Sequence, residues 1–340
     1  MKGISYSRYG GPDVLAYGEV DDPRVGPDSV LVKVRAAAVN PVDRKCREGH
    51  LDQLIEPVFP VVPGWDVCGV VVQPGLAVTE FLVGDEVIGY VRQDVLAHGT
   101  FAEYVAAPLR TLARNPRNLT WEEAAGLPLA GLTAYQVLMK TLQVRRDETI
   151  LVHAAAGGVG SLAVQLARHA GARVIGTASP GNHDFVRGLG GEPVAYGDGL
   201  AERVRGLAPE GVTAVFDTVG GDALKVSANL LAPEGRMVSI ADPDVVDYGG
   251  RYHFPPRPRR PAPALRTGRT GRRLGPRRPH APPGPGGRGP PPQRGRRNPR
   301  QDRGDGGLGN RHADVAAGSR AAGAARVGAA APVSEARPWA

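Results

Sequence analysis

The chain has 340 residues, of which 41% are hydrophobic and 22% charged, a length sufficient for two domains with separate cores. No apolar run is long enough to span a membrane, and no basic segment followed by an apolar one begins the chain. Its two cysteines, Cys46 and Cys68, have neither metal-ligand spacing nor a disulfide-rich pattern, so we expect a reduced, cytoplasmic compartment.

The net charge of +8 is distributed unevenly along the chain. Residues 255–340 hold 19 Arg, no Lys and four acidic residues, whereas residues 1–254 hold 23 basic and 30 acidic ones. The first 254 residues are therefore mildly acidic, and the basic character that suggests nucleic-acid binding belongs to the remainder alone. Two different compositions meet near Phe254.

The first 120 residues contain short runs of strand-forming residues at 30–34, 67–72, 87–91 and 101–105. Gly, Pro and Asp turns separate these runs. This pattern is typical of an antiparallel, barrel-like domain. Thr120 and Glu123 have the spacing of a capping box, which predicts a helix that begins after Thr120.

The stretch from 149 to 170 predicts a strand, a glycine turn and a helix. Small residues in the turn let the backbone approach a dinucleotide pyrophosphate, and the helix start offers free N–H groups. Glycine turns also serve helix packing, so the loop alone leaves both interpretations open. As cofactor-binding candidates it supplies Ala154, Gly157, Gly158, Val159 and Gly160.

Strands and helices alternate beyond this loop, with strands expected at 173–177, 213–216 and 236–240 and helices at 184–189 and 223–231. Alternation of this kind predicts a doubly wound parallel sheet. Asp217 and Val219 follow a strand at its carboxyl end, where ligands of such sheets bind. A turn that starts a helix explains the same residues, and the sequence leaves the two alternatives open.

The end of the second predicted strand favours NADPH over NADH. An NAD site usually places an acid there for the ribose 2′-hydroxyl, and an acid repels the 2′-phosphate of NADP. No acid follows until Asp184, and Ser179, Asn182 and His183 are candidates to bind the phosphate. Arg187 is a further candidate cation, although an Arg on a helix is usually only solvated.

Five motifs in order carry a resemblance: AAVNPVD at 37–43, PGWDVCGVV at 63–71, VGDEV at 83–87, LPLAGLTAY at 127–135 and AAAGGVG at 154–160. Together they resemble the medium-chain dehydrogenase/reductases, in particular their zinc-independent quinone oxidoreductase, or zeta-crystallin-like, branch. The resemblance implies a GroES-like antiparallel β-barrel domain at 1–120 and a Rossmann NADP-binding domain at 121–254. It also implies a homodimer formed through the cofactor domain.

The resemblance implies hydride transfer from NADPH to a quinone or an α,β-unsaturated carbonyl. Asn40 matches the residue that faces the nicotinamide and the acceptor carbonyl, Thr133 matches a nicotinamide contact, and Tyr196 flanks the 2′-phosphate. We expect Asp43 to order the turn after Asn40. An alcohol dehydrogenase-like or enoyl reductase of the same fold is the alternative, and Tyr135 and His153 are the candidate proton donors.

Zinc is not expected. Zinc-dependent members of this superfamily place Cys where this chain has Asn40, and a His-Glu pair where it has Trp65 and Asp66. Neither Asn nor Trp replaces a thiolate or an imidazole on tetrahedral zinc. The four-cysteine structural zinc lobe of those enzymes cannot be built from two cysteines.

Arg, Pro, Gly and Ala make up 65 of the 86 residues from 255 to 340, which predicts a disordered tail. One interpretation is a basic arm that binds nucleic acid or lipid, on an inactive nucleotide-binding scaffold. The favoured one is a GC-rich gene translated out of frame. The codons of residues 298–306, read one base later, permit Thr-Arg-Gly-Lys-Ile-Val-Val-Thr, which resembles the final strand of the family.

Overall fold

A computed structural model describes residues 1–253 of the chain. In the first half, helices α1 and α2 are short, at Pro41–Arg47 and Trp121–Ala125. The strands of this half, β1 to β9, are Lys2–Ser5, Ala16–Glu19, Ser29–Ala36, Glu56–Val62, Asp66–Pro74, Glu86–Tyr90, Val95–His98, Tyr104–Pro108 and Leu112–Arg114.

A five-stranded antiparallel sheet, in the order β8-β3-β5-β6-β9, forms the centre of this half. Alternate residues of β3 and β5 face one core, in which Val30, Val32, Val67 and Val71 are fully buried. The predicted antiparallel, barrel-like domain is therefore present. The predicted strand at 101–105 was placed too early, since β8 begins at Tyr104.

Helix α2 begins where the capping box predicts. The backbone N–H of Glu123 donates to Thr120 Oγ1, and the carboxylate of Glu123 accepts from the backbone N–H of Thr120. Helix α3 follows at Pro128–Tyr135 and continues into a π-helical segment at Gln136–Leu142. The side chain of Leu162, on the helix after the glycine loop, lies beside Gly131 of α3.

The second half alternates strands and helices. Its strands, β10 to β15, are Thr149–Val152, Arg173–Thr177, Glu192–Val194, Val212–Asp217, Leu231–Ser239 and Arg251–Tyr252. Its helices, α4 to α7, are Gly158–His169, His183–Gly188, Leu200–Leu207 and Asp222–Ala228. The strands form one parallel sheet in the order β12-β11-β10-β13-β14-β15, the doubly wound arrangement that the alternation predicts.

The parallel sheet separates two cores. Ile150 and Val152 of β10 face one of them, and Leu151 between them faces the other, because side chains alternate along a strand. Burial on both faces explains the apolar run from Ile150 to Val152. The predicted helix at 223–231 is longer than the observed α7, which ends at Ala228 before β14 begins at Leu231.

The predicted disorder and frameshift fall on residues 255–340, which lie outside the described residues. Between residues 1 and 253, no helix combines the length and the apolar character needed to cross a bilayer. The division at residue 120 stays a prediction.

Candidate functional site

The loop between β10 and α4 has the conformation of a phosphate cradle. Gly157 is the N-cap of α4 and the helix begins at Gly158, so its first backbone N–H groups face the loop. Ala154 has a positive φ of 47°, which is uncommon outside glycine. A Cβ at Gly160 would collide with the Ala154 carbonyl oxygen, so this close turn requires glycine.

Polar side chains beneath the loop fix the position of Ala154. Its backbone N–H donates to Thr177 Oγ1 at 3.0 Å, and His153 Nδ1 lies 3.3 Å from the same oxygen. His153 Nε2 shares a hydrogen bond of 2.7 Å with Ser227 Oγ. These bonds tie the loop to β11 and to α7.

His153 lies inside the protein, only 1% exposed. Burial lowers the pKa of its imidazole below the ordinary value, while the negative charge of Asp217 opposes the shift. We therefore treat His153 as a neutral residue that holds the loop, and its two ring contacts are both hydroxyl groups. This placement does not favour its role as a proton donor.

A cleft of about 920 Å³ opens above the loop, within the size range of small-molecule and cofactor sites. Six of the predicted cofactor residues line it: Ala154, Gly157, Ser179, Asn182, Tyr196 and Val219. The glycine cradle, the helix N-terminus and the size of the cleft fit a dinucleotide. The predicted residues outside its lining are Gly158, Val159, Gly160, His183 and Asp217.

No acid occurs between Thr177 at the end of β11 and Asp184, the stretch in which an NAD site usually has one. The carboxylates of the cleft lining, Asp198, Glu202 and Asp222, come from later segments. The Asn182 side-chain amide donates to Ser179 Oγ at 3.2 Å, and Tyr196 is 63% exposed. Asp184, the first acid after β11, is paired with Arg187 at 2.6 Å on the exposed surface of α5. Arg187 is therefore occupied by its own helix.

Two further residues near this end differ from the prediction: His183 was expected to bind the phosphate, and Arg203 was not predicted. His183 Nε2 lies 3.3 Å from the Ala178 carbonyl oxygen, so one ring nitrogen already has a backbone partner. Arg203 was missed: its Nε donates to the Ala195 carbonyl at 3.0 Å and supports the segment that carries Tyr196. No sequence signal marks Arg203, because its partner is a backbone carbonyl eight residues away.

Asp217 shapes the loop after β13 from inside. It is fully buried, and its carboxylate accepts from the backbone N–H groups of Val219 and Gly220 and from the Ser239 hydroxyl. Of the two alternatives that the sequence left open, this geometry favours the structural turn for Asp217. Val219 projects from the same turn into the cleft lining and is 57% exposed.

A second group of polar residues surrounds the start of α1. Asp43 Oδ2 accepts from the backbone N–H of Asn40 at 2.7 Å, so it orders the turn in the expected way. The Asn40 side chain donates from Nδ2 to Asp66 Oδ2 at 2.9 Å. Asp66 Oδ1 accepts from the backbone N–H of Leu129 at 2.9 Å, at the start of α3.

Both carboxyl groups of this cluster are buried. Burial raises the pKa of Asp43 to about 6, and it raises the pKa of Asp66 to about 7. Hydrogen bonds from Asn40 and Leu129 act in the opposite direction on Asp66. Asp66 was not among the predicted site residues, since its two partners are distant in sequence.

Thr133 lies half-buried on α3, four residues after the Leu129 N–H that Asp66 accepts. Asn40, Asp43 and Thr133 do not line the cleft described above. The structure therefore joins the predicted residues into two groups, the phosphate loop with its cleft and the Asn40 cluster, with Thr133 on the helix that Asp66 caps.

Within residues 1–253, no three or more His, Cys, Asp and Glu side chains are grouped to hold a metal ion. Cys46 and Cys68 are buried and unpaired, and burial raises the pKa of each thiol to about 12. Neither thiol is therefore ionised near neutral pH.

Two protein families match the chain. Residues 26–117 match the alcohol dehydrogenase GroES-like domain, and residues 158–249 match the family described as zinc-binding dehydrogenase. These segments correspond to the antiparallel half and to the parallel sheet.

Among characterised relatives, an NADPH-dependent alkenal/one oxidoreductase of Arabidopsis thaliana chloroplasts is 42% identical over 72% of this chain and 67% of its own. A quinone oxidoreductase of Pseudomonas aeruginosa is 36% identical over 71% of this chain and 73% of its own. The chain spans about two thirds of the length of the first curated relatives it matches. The crystal structure of Escherichia coli quinone oxidoreductase complexed with NADPH matches with a TM-score of 0.66 and 28% identity, over 76% of this chain and 81% of that one.

Proposed function

The chain belongs to the medium-chain dehydrogenase/reductase superfamily, and from this premise we propose that it is an NADPH-dependent oxidoreductase. It transfers a hydride to a quinone or to the β-carbon of an α,β-unsaturated carbonyl compound. The observation that carries this proposal is the cleft over the glycine loop, in which six predicted dinucleotide contacts come together.

The protein residues bind and orient the reactants. Bound NADPH supplies the hydride from its nicotinamide ring. The start of α4 holds the pyrophosphate with backbone N–H groups, while Ser179 and Asn182 offer hydrogen bonds to the 2′-phosphate. The absence of an acid between Thr177 and Asp184 supports NADPH over NADH.

Asn40 is the residue that we assign to the acceptor. A primary amide donates a hydrogen bond to an oxygen that gains negative charge during hydride transfer. Asn40 Nδ2 donates to Asp66 at 2.9 Å and makes a longer hydrogen bond of 3.5 Å to the Ala38 carbonyl. In the proposed reaction the acceptor oxygen replaces the longer of these two bonds. Thr133 is assigned to the nicotinamide end.

The proposed reaction does not use zinc, although one matching family is described as zinc-binding. The donor set carries this part of the proposal. Asn40 and Trp65 stand where zinc-dependent members have Cys and His, and neither side chain ligates tetrahedral zinc.

We also infer a homodimer through the cofactor domain, a division between domains near residue 120 and a cytoplasmic location. The two unpaired cysteines support a reducing compartment. Nucleic acid is not a proposed partner, because the described part of the chain is mildly acidic.

Oxidation of NADPH and of NADH against a panel of quinones, enones and simple ketones tests the proposal. We expect NADPH-dependent reduction of quinones or enones that is unaffected by a zinc chelator. Preference for NADH would contradict the cofactor assignment. Reduction of ketones alone would favour the alcohol dehydrogenase alternative.

A further inference from the structure

We propose that Asp66 is the positioning residue of the hydride-acceptor site: it fixes the Asn40 side chain and joins it to the start of α3. The inference rests on the proposed function, in which Asn40 contacts the acceptor. Asp66 contacts neither cofactor nor acceptor in this proposal and acts through its two partners.

The Asn40 amide has a defined direction. Asp66 Oδ2 lies 2.9 Å from Asn40 Nδ2, so the NH₂ end of the amide faces the carboxylate. Rotation of the amide by 180° would place its carbonyl oxygen against Asp66 Oδ2. Both atoms are hydrogen-bond acceptors, so they would repel each other. Above its pKa of about 7 the carboxylate of Asp66 is ionised, and it then selects one of the two orientations and aims one N–H at itself.

Asp66 itself is held in a fixed position. Its side chain is fully buried on β5, and its other oxygen accepts from the Leu129 backbone N–H at 2.9 Å. Both oxygens thus have a donor, which restricts the carboxylate to one rotamer. The contact also satisfies one of the free N–H groups at the start of α3.

Helix α3 packs beside the helix that begins at the phosphate loop. Gly131 of α3 lies beside Leu162 of α4, and α4 is the helix whose first turn forms the phosphate cradle. A single carboxylate therefore connects Asn40 to α3, the helix that packs beside α4. In the proposed function this connection links the acceptor residue to the helix that holds the dinucleotide.

The contact is tested first by NMR, which does not depend on turnover. The chain has seven asparagines, so ¹⁵N-asparagine labelling gives few side-chain amide signals, and Asn40→Ala identifies that of Asn40. In the unsubstituted protein at pH 8, where Asp66 is ionised, we expect the Asn40 amide to exchange with solvent more slowly than that of exposed Asn118. Equal exchange rates would overturn the proposal even if no substituted protein folds.

Asp66→Asn then removes one acceptor at constant volume. We expect exchange of the Asn40 amide to accelerate about tenfold, the effect of losing one charge-assisted hydrogen bond of about 1.5 kcal/mol. The matched control is Asp85→Asn. Asp85 lies in the same half of the protein and also accepts a backbone N–H, from Leu82, but it lies outside the site. An unchanged Asn40 signal in folded Asp66→Asn would overturn the proposal.

Kinetics supply the second arm. We expect Asp66→Asn to lower kcat about tenfold with an unchanged KM for NADPH, and to have no further effect in an Asn40→Ala background, because both substitutions remove one interaction. Additive losses would overturn the role through Asn40. If the unsubstituted protein reduces no acceptor, the proposed function fails, and the NMR arm still decides whether Asp66 fixes Asn40.

Discussion

The hydroxyl of Thr177 accepts a hydrogen bond from the backbone N–H of Ala154 at 3.0 Å, which joins the end of β11 to the first residue of the phosphate loop. Ala154 has a left-handed conformation, so the loop geometry depends on neighbours that hold it there. Thr177 in turn lies between Ala154 and the buried ring of His153. Cofactor affinity should therefore depend on Thr177, a buried residue in the lining of the cleft.

Thr177→Val tests this dependence at nearly constant volume. The Ala154 N–H loses its acceptor, which costs about 1–3 kcal/mol, and we expect the Kd for NADPH to rise about tenfold. Fluorescence titration with NADPH measures it. Thr213→Val is the control, since Thr213 donates to the Thr149 carbonyl at the far end of the sheet. An equal loss in both variants would show a general effect on the sheet.

Cofactor preference should respond to a single carboxylate at the end of the cleft. Asn182→Asp places an acid beside the expected 2′-phosphate, and we expect it to weaken NADPH binding about tenfold while leaving NADH binding unchanged. The measurement is the Kd of both cofactors. Asp184→Asn changes charge on an exposed residue two positions later and should not alter the preference. Unchanged NADPH affinity in Asn182→Asp would contradict the phosphate assignment.

Stability should depend on pH through Asp66. Its pKa is about 7 in the folded protein and about 3.8 when unfolded, so the folded state binds the extra proton between these values. Its contribution to the free energy of unfolding therefore falls as pH rises from 5 to 7, by about 1.4 kcal/mol per unit. The neighbouring titratable groups are Asp43, with a pKa raised to about 6, and Tyr90, which has Arg92 beside it.

Urea unfolding at pH 5.5, 6.5 and 7.5 measures this dependence. The free energy of unfolding of the unsubstituted protein, relative to that of Asp66→Asn, should decline from pH 5.5 to pH 7.5. Asp85→Asn is the control, because hydrogen bonds from Leu82 and Arg114 lower the pKa of Asp85, so its contribution is lost only on acidification below this window. A difference between the unsubstituted protein and Asp66→Asn that does not change with pH would contradict the prediction.

The phosphate loop was predictable because its signal is local. A buried strand, small residues at fixed spacing and a helix start lie within 22 residues, and the structure has each of them. The capping box at Thr120 was predictable for the same reason. These features depend on backbone conformation and on neighbours a few residues away.

Features that depend on distant pairing were not predictable. Asp66 contacts Asn40 and Leu129, which are 26 and 63 residues away, so no spacing rule links them. The strand β12 has only three residues and includes Pro193, which weakens a strand pattern. Its place beside β11 comes from parallel pairing that the sheet as a whole determines.

The composition of residues 255–340 favours a frameshift in the gene. We expect fresh sequencing to find a one- or two-base insertion or deletion within codons 250–260. Repair of the frame should restore the Thr-Arg-Gly-Lys strand and raise both turnover and melting temperature, because the catalytic domain regains a strand. An intact frame in new reads would contradict this explanation and favour a genuine basic segment.

Transfer of deuterium from NADPH to an enone tests the central claim most directly. The protein is incubated at stoichiometric concentration with a linear enone and NADPH deuterated at either the pro-R or the pro-S position of C4, and the product is analysed by mass spectrometry and NMR. We predict one deuterium on the β-carbon of a saturated ketone, from one of the two labelled cofactors. A product without deuterium, or an allylic alcohol with deuterium on the carbonyl carbon, would contradict it.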